Sequence, residues 1–216
     1  MQGKTDKEKR IPETFVLKGP RINLLSPPTS VDDCKVRAML SDSETMEFLQ
    51  VLYKSQGWTE EEAASRRIDQ ARQQQEEHGL HFSIYSHGKD QSQDRESEGA
   101  EYVGFCGFRL MDLEAREGEF GIIIDRNFWG KGYATEALYC MLQYAFEELN
   151  LLRCFASTNP DNKPMLNLFT KYGMKRVSDQ PRTDEKNFVW LDFSIYENEW
   201  PEIKAKMQSA VGQRNM

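Results

Sequence analysis

One strand-to-helix turn constrains the fold of this chain more than any other feature. The segment EFGIIID, residues 119–125, is apolar and rich in isoleucine, and RNFWGKGYATEA, residues 126–137, follows it with two glycines and a lysine. Apolar residues then recur every three to four positions, which is the period of a helix with one buried face. They are Ala134, Ala137, Leu138, Met141, Leu142, Ala145, Phe146 and Leu149. The chain is therefore predicted to pass from a buried strand through a glycine turn into a helix that covers the sheet.

A turn of this kind can bind an anion. The first N–H groups of a helix have no backbone acceptor, and the helix dipole adds partial positive charge at that end. Two familiar phosphate loops do not fit, because a P-loop requires Ser or Thr where Gly132 stands, and a dinucleotide fingerprint requires glycine where Thr135 stands. An ordinary turn, in which glycine only relieves backbone strain, is the alternative at this point.

The N-terminal half is predicted to contain one strand and two helices before the sheet resumes. Residues 21–28 have the pattern of an edge strand closed by prolines, and a helical pattern covers about 32–52. A second helix begins at Thr59, whose spacing to Glu62 is that of a capping box, and it is expected to end at Gly79. Its arginine and glutamine faces are expected to be solvated.

The second half alternates strands and helices. A helix with proline in its first turn and glycine at its end is predicted between Pro164 and Gly173. Strand patterns occupy 81–85, 102–111, 119–125, 153–158 and 187–196. This order predicts a single mixed α/β (α+β) domain over 15–205, with helices flanking a largely antiparallel sheet. Residues 1–14 and 206–216 are expected to be tails, and 86–100 a flexible loop.

Composition limits the classes of partner. The chain has 216 residues and a formal charge of −7, whereas proteins that bind phosphate backbones are usually basic, so no nucleic acid partner is expected. The four cysteines form no CxxC pair, and Cys106 and Cys140 lie in apolar patterns, which favours a reducing compartment. Without an apolar leader or a run of membrane-spanning length, we expect a cytoplasmic protein with no membrane partner. His78 and His81 have no further metal ligands nearby in sequence, so no metal is expected.

The glycine turn, its helix and the later segment NPDNKPMLNLFTKYGM, residues 159–174, resemble the Gcn5-related N-acetyltransferase (GNAT) superfamily. The similarity is greatest to the branch of RimJ/RimL-like ribosomal-protein acetyltransferases and spermidine acetyltransferases. It extends from about Arg21 to Trp200, and WGKGYATEA is its most specific string. The resemblance implies a twisted, mostly antiparallel sheet of six to seven strands whose central strands splay at an acetyl-CoA site. A homodimer is expected through the resemblance alone.

The resemblance also implies which residues bind acetyl-CoA, the expected cosubstrate. Loop amides would hold its pyrophosphate, the strand before the loop would hold its pantetheine arm, and Asn162 would contact the same arm or serve only as a helix N-cap. Trp129 departs from the family pattern, which has Gln or Arg there, and Lys131 is either solvated or a phosphate contact. The implied binding residues are Ile122, Ile123, Ile124, Trp129, Gly130, Lys131, Gly132, Tyr133, Ala134, Thr135 and Asn162.

The implied reaction is direct acetyl transfer from a thioester to an amine, without a covalent enzyme intermediate. Glu119 resembles the acidic residue that acts as a base through water in related enzymes, and a plain surface carboxylate is its alternative role. Glu101 and Asp125 are weaker candidates. A backbone N–H near Ile123 is expected to stabilise the oxyanion.

The positions at which related enzymes carry a catalytic acid are filled by Phe169 and Met165, and neither side chain can donate a proton. Tyr172 lies nearby in sequence but is expected to face the core. A thiol is acidic enough for the thiolate to leave unaided or to take a proton from water.

Three functions remain open at this stage. The leading hypothesis is an N-acetyltransferase acting on a small-molecule amine or a protein N-terminus. A polyamine acetyltransferase of the spermidine type is the second, and a non-catalytic acyl-CoA-binding domain is the third. The acceptor is not specified by any motif in the sequence.

Overall fold

The structure, a computed structural model, describes residues 10–88 and 99–212. These residues form one open sheet with helices packed against it, which confirms the predicted mixed α/β class. Residues 89–98, most of the predicted loop at 86–100, and residues 1–9 of the predicted tail lie outside the described residues.

The sheet is antiparallel except for one parallel pair at its centre, β5 and β6. Its order is β1-β2-β3-β4-β5-β6-β9-β7, and β8 also pairs with β9. The strands are β1 (Phe15–Lys18), β2 (Ile22–Ser26), β3 (Leu80–Ser86), β4 (Tyr102–Asp112), β5 (Glu117–Ile124), β6 (Arg153–Thr158), β7 (Lys175–Arg176), β8 (Arg182–Thr183) and β9 (Val189–Tyr196). The nine strands exceed the predicted six to seven because β1 and the two-residue strands β7 and β8 have no clear signal in the sequence.

Within the described residues, five α-helices pack on this sheet. They are α1 (Asp33–Ser41), α2 (Glu60–Gln75), α3 (Tyr133–Gln143), α4 (Lys163–Tyr172) and α5 (Trp200–Gly212). The predicted capping box of α2 is confirmed, since Thr59 and Glu62 exchange side-chain and backbone hydrogen bonds. The predicted end of α4 is also confirmed, with Gly173 in the left-handed conformation at φ 82°.

Two apolar cores form where the helices meet the sheet. The larger core joins α3, α4 and α5 to the strands through residues such as Leu138, Phe169 and Met207. The smaller core joins α1 and the turns after it to Tyr102, Phe105 and Ile123. Side chains alternate between the faces of a strand, so Ile123 joins the smaller core while Phe120 joins the larger.

Several local predictions differ from the structure. The strand at 21–28 is not an edge strand, because β1 pairs outside it. The helical pattern over 32–52 ends at Ser41, where the next residue takes an extended conformation, and turns follow. Residues 206–212 of the predicted C-terminal tail are part of α5, which buries Met207 and Val211, while 213–216 lie outside the described residues. Ile11 in the other predicted tail is 2% exposed. The domain therefore extends beyond 15–205 at both ends.

The two central strands separate partway along their length. β5 pairs with β6 only where Glu117–Glu119 lie opposite Arg153–Phe155. Beyond that point β5 stays on β4 as far as Ile124, and β6 stays on β9 as far as Thr158. The facing edges of β5 and β6 therefore lack a strand partner there, which confirms the predicted splay.

The buried carboxylate of Glu136 links α3, the helix after the glycine turn, to the turn between β1 and β2. Glu136 in α3 is 0% exposed, and its oxygens accept hydrogen bonds from the backbone N–H of Arg21 at 2.6 Å and of Ile22 at 3.2 Å. The Arg21 guanidinium adds an Nε bond and an ion pair, both at 2.8 Å. The same guanidinium donates to the carbonyl of Lys131 at 3.1 Å, so one ion pair holds both the helix and the loop.

Replacing this carboxylate is expected to destabilise the protein. Glu136→Gln keeps the shape of the side chain but removes the charge that compensates Arg21, and breaking such a pair leaves an unpaired charge in a poorly solvated position. We expect a loss of about 2 kcal/mol in the free energy of unfolding, measured by urea denaturation. Glu148→Gln, at an exposed position beyond α3, is the matched control and should change stability little; equal losses in the two variants would contradict this role.

Candidate active site

The glycine loop between β5 and α3 leaves a row of amides without intrahelical acceptors. Gly130 and Gly132 have φ values of 74° and 83°, which side chains rarely adopt, and Gly132 is the N-cap of α3. The first intrahelical bond of α3 runs from Glu136 N–H to the Gly132 carbonyl at 3.2 Å. The preceding N–H groups, from Tyr133 to Thr135, are therefore available to an anion at the positive end of the helix dipole.

Trp129 fixes the loop against the strand that precedes it. Its indole Nε1–H donates to the Ile124 carbonyl at 2.7 Å, at the open end of β5. The side chain is 44% exposed, so its role here is a hydrogen bond and not core packing. Trp129, the residue that departs from the family pattern, thus links the loop to the end of β5 by a hydrogen bond.

A cavity of about 480 Å³, which we call the loop cavity, lies between this loop, β5 and α4. Ten of the eleven residues predicted to bind the cosubstrate line it: Ile122, Ile123, Ile124, Trp129, Gly130, Gly132, Tyr133, Ala134, Thr135 and Asn162. Lys131 is the exception, because its ammonium lies 4.8 Å from the centre of the Phe128 ring instead. The open edge of β5 and the free amides of the loop therefore face one space.

Asn162 caps α4 and also lies at the wall of the loop cavity. Its carbonyl oxygen accepts from Met165 N–H at 3.1 Å, which caps α4, and its amide donates to the Thr158 hydroxyl at 3.1 Å. The same residue lines the loop cavity. The N-cap interaction is thus confirmed, and it fixes the side chain at the wall of the cavity.

The turns after α1 form a wall of the loop cavity that the sequence pattern did not reveal. Thr45, Phe48 and Leu49 line it, in a region predicted to be helical. Arg126 holds this segment in place through ion pairs with Asp42 and Glu44. No residue type in this segment signals a binding role, so only the tertiary structure identifies it.

A second cavity, of about 580 Å³, lies over β4 and β5; we call it the sheet cavity. Gly107 of β4 and Gly121 of β5 lie opposite each other in the sheet and form the floor of this cavity. A Cβ added to Gly121 would meet nothing within 4 Å. Phe105, Arg109, Glu119 and Ile123 flank this bare floor. Gly121 therefore leaves open the space that a side chain would otherwise fill, whereas a Cβ on Gly107 would clash with the Leu80 carbonyl oxygen.

The two cavities meet at the point where β5 and β6 separate. Both are lined by Leu49, Ile122, Ile123, Asn162 and Met165. A molecule bound along the open edge of β5 and another bound over the glycine floor would touch there.

Glu119 lies in the sheet cavity, but its carboxylate is already paired. Its Oε2 accepts from Arg109 Nη2 at 2.6 Å, and the side chain is only 12% exposed. Of the weaker candidates, Glu101 is exposed and does not line either cavity, while the Asp125 carboxylate accepts from the backbone and side-chain N–H groups of Asn127. The structure thus brings Glu119 alone of the three to the sheet cavity.

Helix α2 contributes Arg66 to one side of the sheet cavity, so the prediction that its arginine and glutamine faces are solvated is wrong at Arg66 and at two buried glutamines. Gln70 and Gln74 are buried, and Arg66 and His81 line the cavity. The His81 ring accepts from the Gln70 amide at 3.3 Å and donates to Gln73 Oε1 at 2.8 Å in the tautomer that satisfies both. Burial, with a smaller effect of the Arg66 charge, lowers the pKa of His81 to about 3, so the ring is neutral.

The β8–β9 hairpin forms the opposite side. Arg182 is paired with Asp192 at 3.0 Å, and Ser157 donates to the same carboxylate at 2.7 Å. Burial alone would raise the pKa of Asp192, but these two hydrogen bonds hold it below its usual value. Asp184 accepts from the indole of Trp190 at 2.9 Å, which fixes the ring at the cavity wall.

The two positions that lack a proton donor border the cavities. Phe169 is 2% exposed and packs in the larger core, and Met165 lines both cavities. Tyr172 is 1% exposed in the same core, which confirms that it faces inward.

Within residues 10–88 and 99–212, no helix is both long and apolar enough to cross a membrane. In the same part of the chain no group of three or more His, Cys, Asp and Glu residues could hold a metal ion.

Comparison with known proteins matches residues 23–175 to the acetyltransferase (GNAT) domain. The chain is 41% identical over 81 residues to the uncharacterized N-acetyltransferase p20 of Bacillus licheniformis. The aligned segment covers 35% of this chain and 46% of that protein. It is 32% identical over 90 residues to spermidine N(1)-acetyltransferase of Escherichia coli, covering 40% and 48%. The matched segments thus span about half the length of these relatives.

Solved structures share the fold over a larger part of the chain. RimJ from Mycobacterium smegmatis, solved in complex with CoA-disulfide, aligns with a TM-score of 0.70 at 19% identity, covering 91% of this chain and 93% of that one. A GCN5-related N-acetyltransferase from Brucella melitensis aligns with a TM-score of 0.72 at 18% identity, covering 93% and 86%.

The neutral His81 is expected to make stability depend on pH. Its folded pKa of about 3 lies below the unfolded value near 6.5, so the unfolded chain binds the proton first and stability falls as the pH drops below about 6.5. At pH 5.5 this group should cost about 1.4 kcal/mol relative to pH 7.5. Urea unfolding of the wild type and of His81→Gln at the two pH values measures it. The wild type should lose more stability than the variant by that amount, and identical losses would contradict a neutral buried ring.

Proposed function

The chain belongs to the GNAT acetyltransferase family, and from this premise we propose that it is an acetyl-CoA-dependent N-acetyltransferase acting on a primary amine. One observation carries the proposal. The loop cavity, with its free amides and unpaired strand edge, opens into the sheet cavity at the splay of β5 and β6. A donor and an acceptor can therefore bind from different sides and meet at one point.

The loop cavity supports the binding of acetyl-CoA. Amides from Gly130 to Thr135 offer donors to a pyrophosphate, and the positive φ of both glycines lets the backbone approach it closely. The unpaired edge of β5 over 120–124 offers N–H and C=O groups to the amide-containing pantetheine arm, much as a missing strand would. Asn162 borders the same path.

The chemistry requires a neutral amine at the junction of the cavities. The amine nitrogen attacks the thioester carbonyl carbon, the carbon–sulfur bond breaks, and the electron pair leaves with the thiolate. A backbone N–H of the open part of β5, near Ile123, supports the developing oxyanion. The nitrogen gives up a proton, for which Glu119 is the acceptor that we propose, acting through water.

The ion pair of Glu119 with Arg109 refines that role. Arg109 is 66% exposed in its side chain, so the pair can open toward solvent at a small cost, while Glu119 itself stays nearly enclosed. One carboxylate oxygen holds Arg109, and the other remains to accept from a water over the glycine floor. No side chain at 165 or 169 can protonate the thiolate, so we propose that it leaves unaided or takes a proton from water.

Gly132→Val should impair cosubstrate binding. A β-branched residue at φ 83° is strained and displaces the N-cap of α3, so we expect the affinity for acetyl-CoA to fall at least about tenfold, measured by isothermal titration. Gly121→Val is the matched control, because its side chain fits open space in the sheet cavity without backbone strain. It should bind acetyl-CoA nearly as the wild type does but lose turnover. Normal binding by Gly132→Val would overturn the assignment of the loop.

Release of free CoA thiol in the presence of a panel of amines tests the function. The panel contains spermidine, small amines and peptides that begin with Ala or Ser. We expect at least one amine to accelerate thiol release, and Glu119→Gln to reduce this turnover about tenfold or more with little change in acetyl-CoA affinity, because only proton removal is affected.

The outcomes separate the three hypotheses. Binding of acetyl-CoA without acceleration by any amine would indicate a non-catalytic acyl-CoA-binding domain. A preference for spermidine would indicate a polyamine acetyltransferase, the activity for which the Escherichia coli relative is named. Unchanged turnover in Glu119→Gln would remove Glu119 as the base.

A further inference from the structure

One arginine of the sheet cavity has no counter-ion within the part of the chain that the structure describes. Arg66 extends from α2 into this cavity, where its guanidinium lies 4.6 Å from the centre of the Phe105 ring. Among residues 10–88 and 99–212, the structure shows no hydrogen bond or ion pair from Arg66. The group is partly buried, between the Phe105 ring and the neutral His81.

The other two arginines of the cavity are neutralised. Arg109 pairs with Glu119, and Arg182 pairs with Asp192 through two hydrogen bonds, at 3.0 and 3.2 Å. Within the described chain, Lys186 and Glu185 lie side by side at the exposed rim and offset each other in charge. Asp184, a further carboxylate of the cavity wall, accepts from the Trp190 indole and interacts with Arg182. Arg66 is therefore the arginine of the cavity lining that has no ion pair within the described residues.

An unpaired guanidinium in this position is set up to bind an anion. Burial lowers the pKa of Arg66, but a guanidinium stays protonated at neutral pH. The guanidinium lies over the Phe105 ring, 4.6 Å from its centre, and its N–H donors have no hydrogen-bond partner among the described residues, so they are available to a planar partner. A partly desolvated cation with free donors gains more from a carboxylate than a solvated one does, because its donors compete less with water.

Arg66 lies close to the junction of the two cavities. Phe105, on which it stacks, is the register partner of Ile123 on the adjacent strand. Neighbouring antiparallel strands lie about 5 Å apart, which places the guanidinium on the order of 10 Å from the Ile123 backbone. That span suits one small molecule or one N-terminal segment with an amine at one end and an anion a few bonds away.

We propose that the acceptor is a primary amine carrying a carboxylate, and that Arg66 binds this carboxylate while the amine lies at the junction beside Ile123 and Asn162. The proposal rests on the acetyltransferase function proposed above. It specifies the acceptor as a free amino acid or a peptide whose acidic side chain follows the N-terminus. A polyamine would instead place a second cation against Arg66, which is unfavourable in a partly buried cavity.

Matched pairs of acceptors test the proposal. The pairs are L-glutamate and its diamide, in which both carboxylates are replaced, and two amidated peptides that start with Ala followed by Glu or by Gln. Each pair differs only in carboxylate against carboxamide, and comparing the two pairs separates a free amino acid from a peptide. In at least one pair the wild type should favour the acid by about tenfold or more in kcat/KM, the size expected for a charge-assisted bidentate contact. Equal rates for acid and amide in both pairs would overturn the proposal.

Variants assign that preference to Arg66. Arg66→Gln should abolish the preference for the acid and leave acetyl-CoA affinity unchanged, and Arg66→Lys should restore part of it because the charge returns without the planar fork. Arg72→Gln is the matched control, since Arg72 lies on the same helix at an exposed position outside the cavity and should keep the full preference. A preference that persists in Arg66→Gln would overturn the proposal.

A binding measurement separates this proposal from the proposed function. If no acceptor accelerates thiol release, the proposed enzyme activity fails. Titration of the CoA-saturated protein with the same four probes then still decides the role of Arg66. Tighter binding of an acid than of its amide, lost in Arg66→Gln but kept in Arg72→Gln, supports the carboxylate site. Equal binding of acid and amide overturns it.

Discussion

The candidate active site depends on the short stretch of parallel pairing between β5 and β6. Three residue pairs, over Glu117–Glu119 of β5, join the two strands. Beyond them β5 pairs only with β4, and β6 pairs only with β9. The divergence costs backbone hydrogen bonds along two buried edges, which must be satisfied elsewhere. At the end of β5 the Trp129 indole meets the Ile124 carbonyl, and the rest of the edge borders the loop cavity. We propose that this unpaired backbone is the main element that binds the cosubstrate.

That opening is useful only if the elements on either side are rigid. Glu136 fastens α3 to the β1–β2 turn through Arg21, and the same arginine binds the carbonyl of Lys131 in the loop. On the other side, Asn162 caps α4 and bonds to Thr158 at the end of β6. Both walls of the splay are therefore held by polar side chains at the start of a helix, Glu136 in the first turn of α3 and Asn162 at the N-cap of α4. Fixed walls spare the loop amides from reorganising when an anion binds, which is the physical basis of preorganisation.

The sequence predicted what depends on local pattern and missed what depends on packing. The glycine turn, the stripe of α3, the cap of α2 and the glycine after α4 follow from periodicity and cap chemistry, and the structure confirms them. The end of α1 at Ser41, the wall formed by 45–49 and the place of Arg66 had no local signal. Arginine and glutamine on a helix usually face water, and only the fold shows that α2 turns this face toward a cavity. Most of the predicted loop at 86–100 lies outside the described residues.

Net charge and local charge point to different acceptors, and the local charge decides. The formal charge of −7 favours the approach of cations, which would suit a polyamine. Such a field acts at long range and is screened within about 10 Å at ordinary salt, so it changes encounter rates more than the bound state. Inside the sheet cavity two arginines are already paired and, within the described residues, Arg66 is not, so under our proposal a bound ligand meets the charge of Arg66 there. Specificity is a difference in free energy between bound states. Repulsion between a second ammonium and the nearby guanidinium of Arg66 disfavours a bound polyamine more than long-range attraction to the acidic surface favours it.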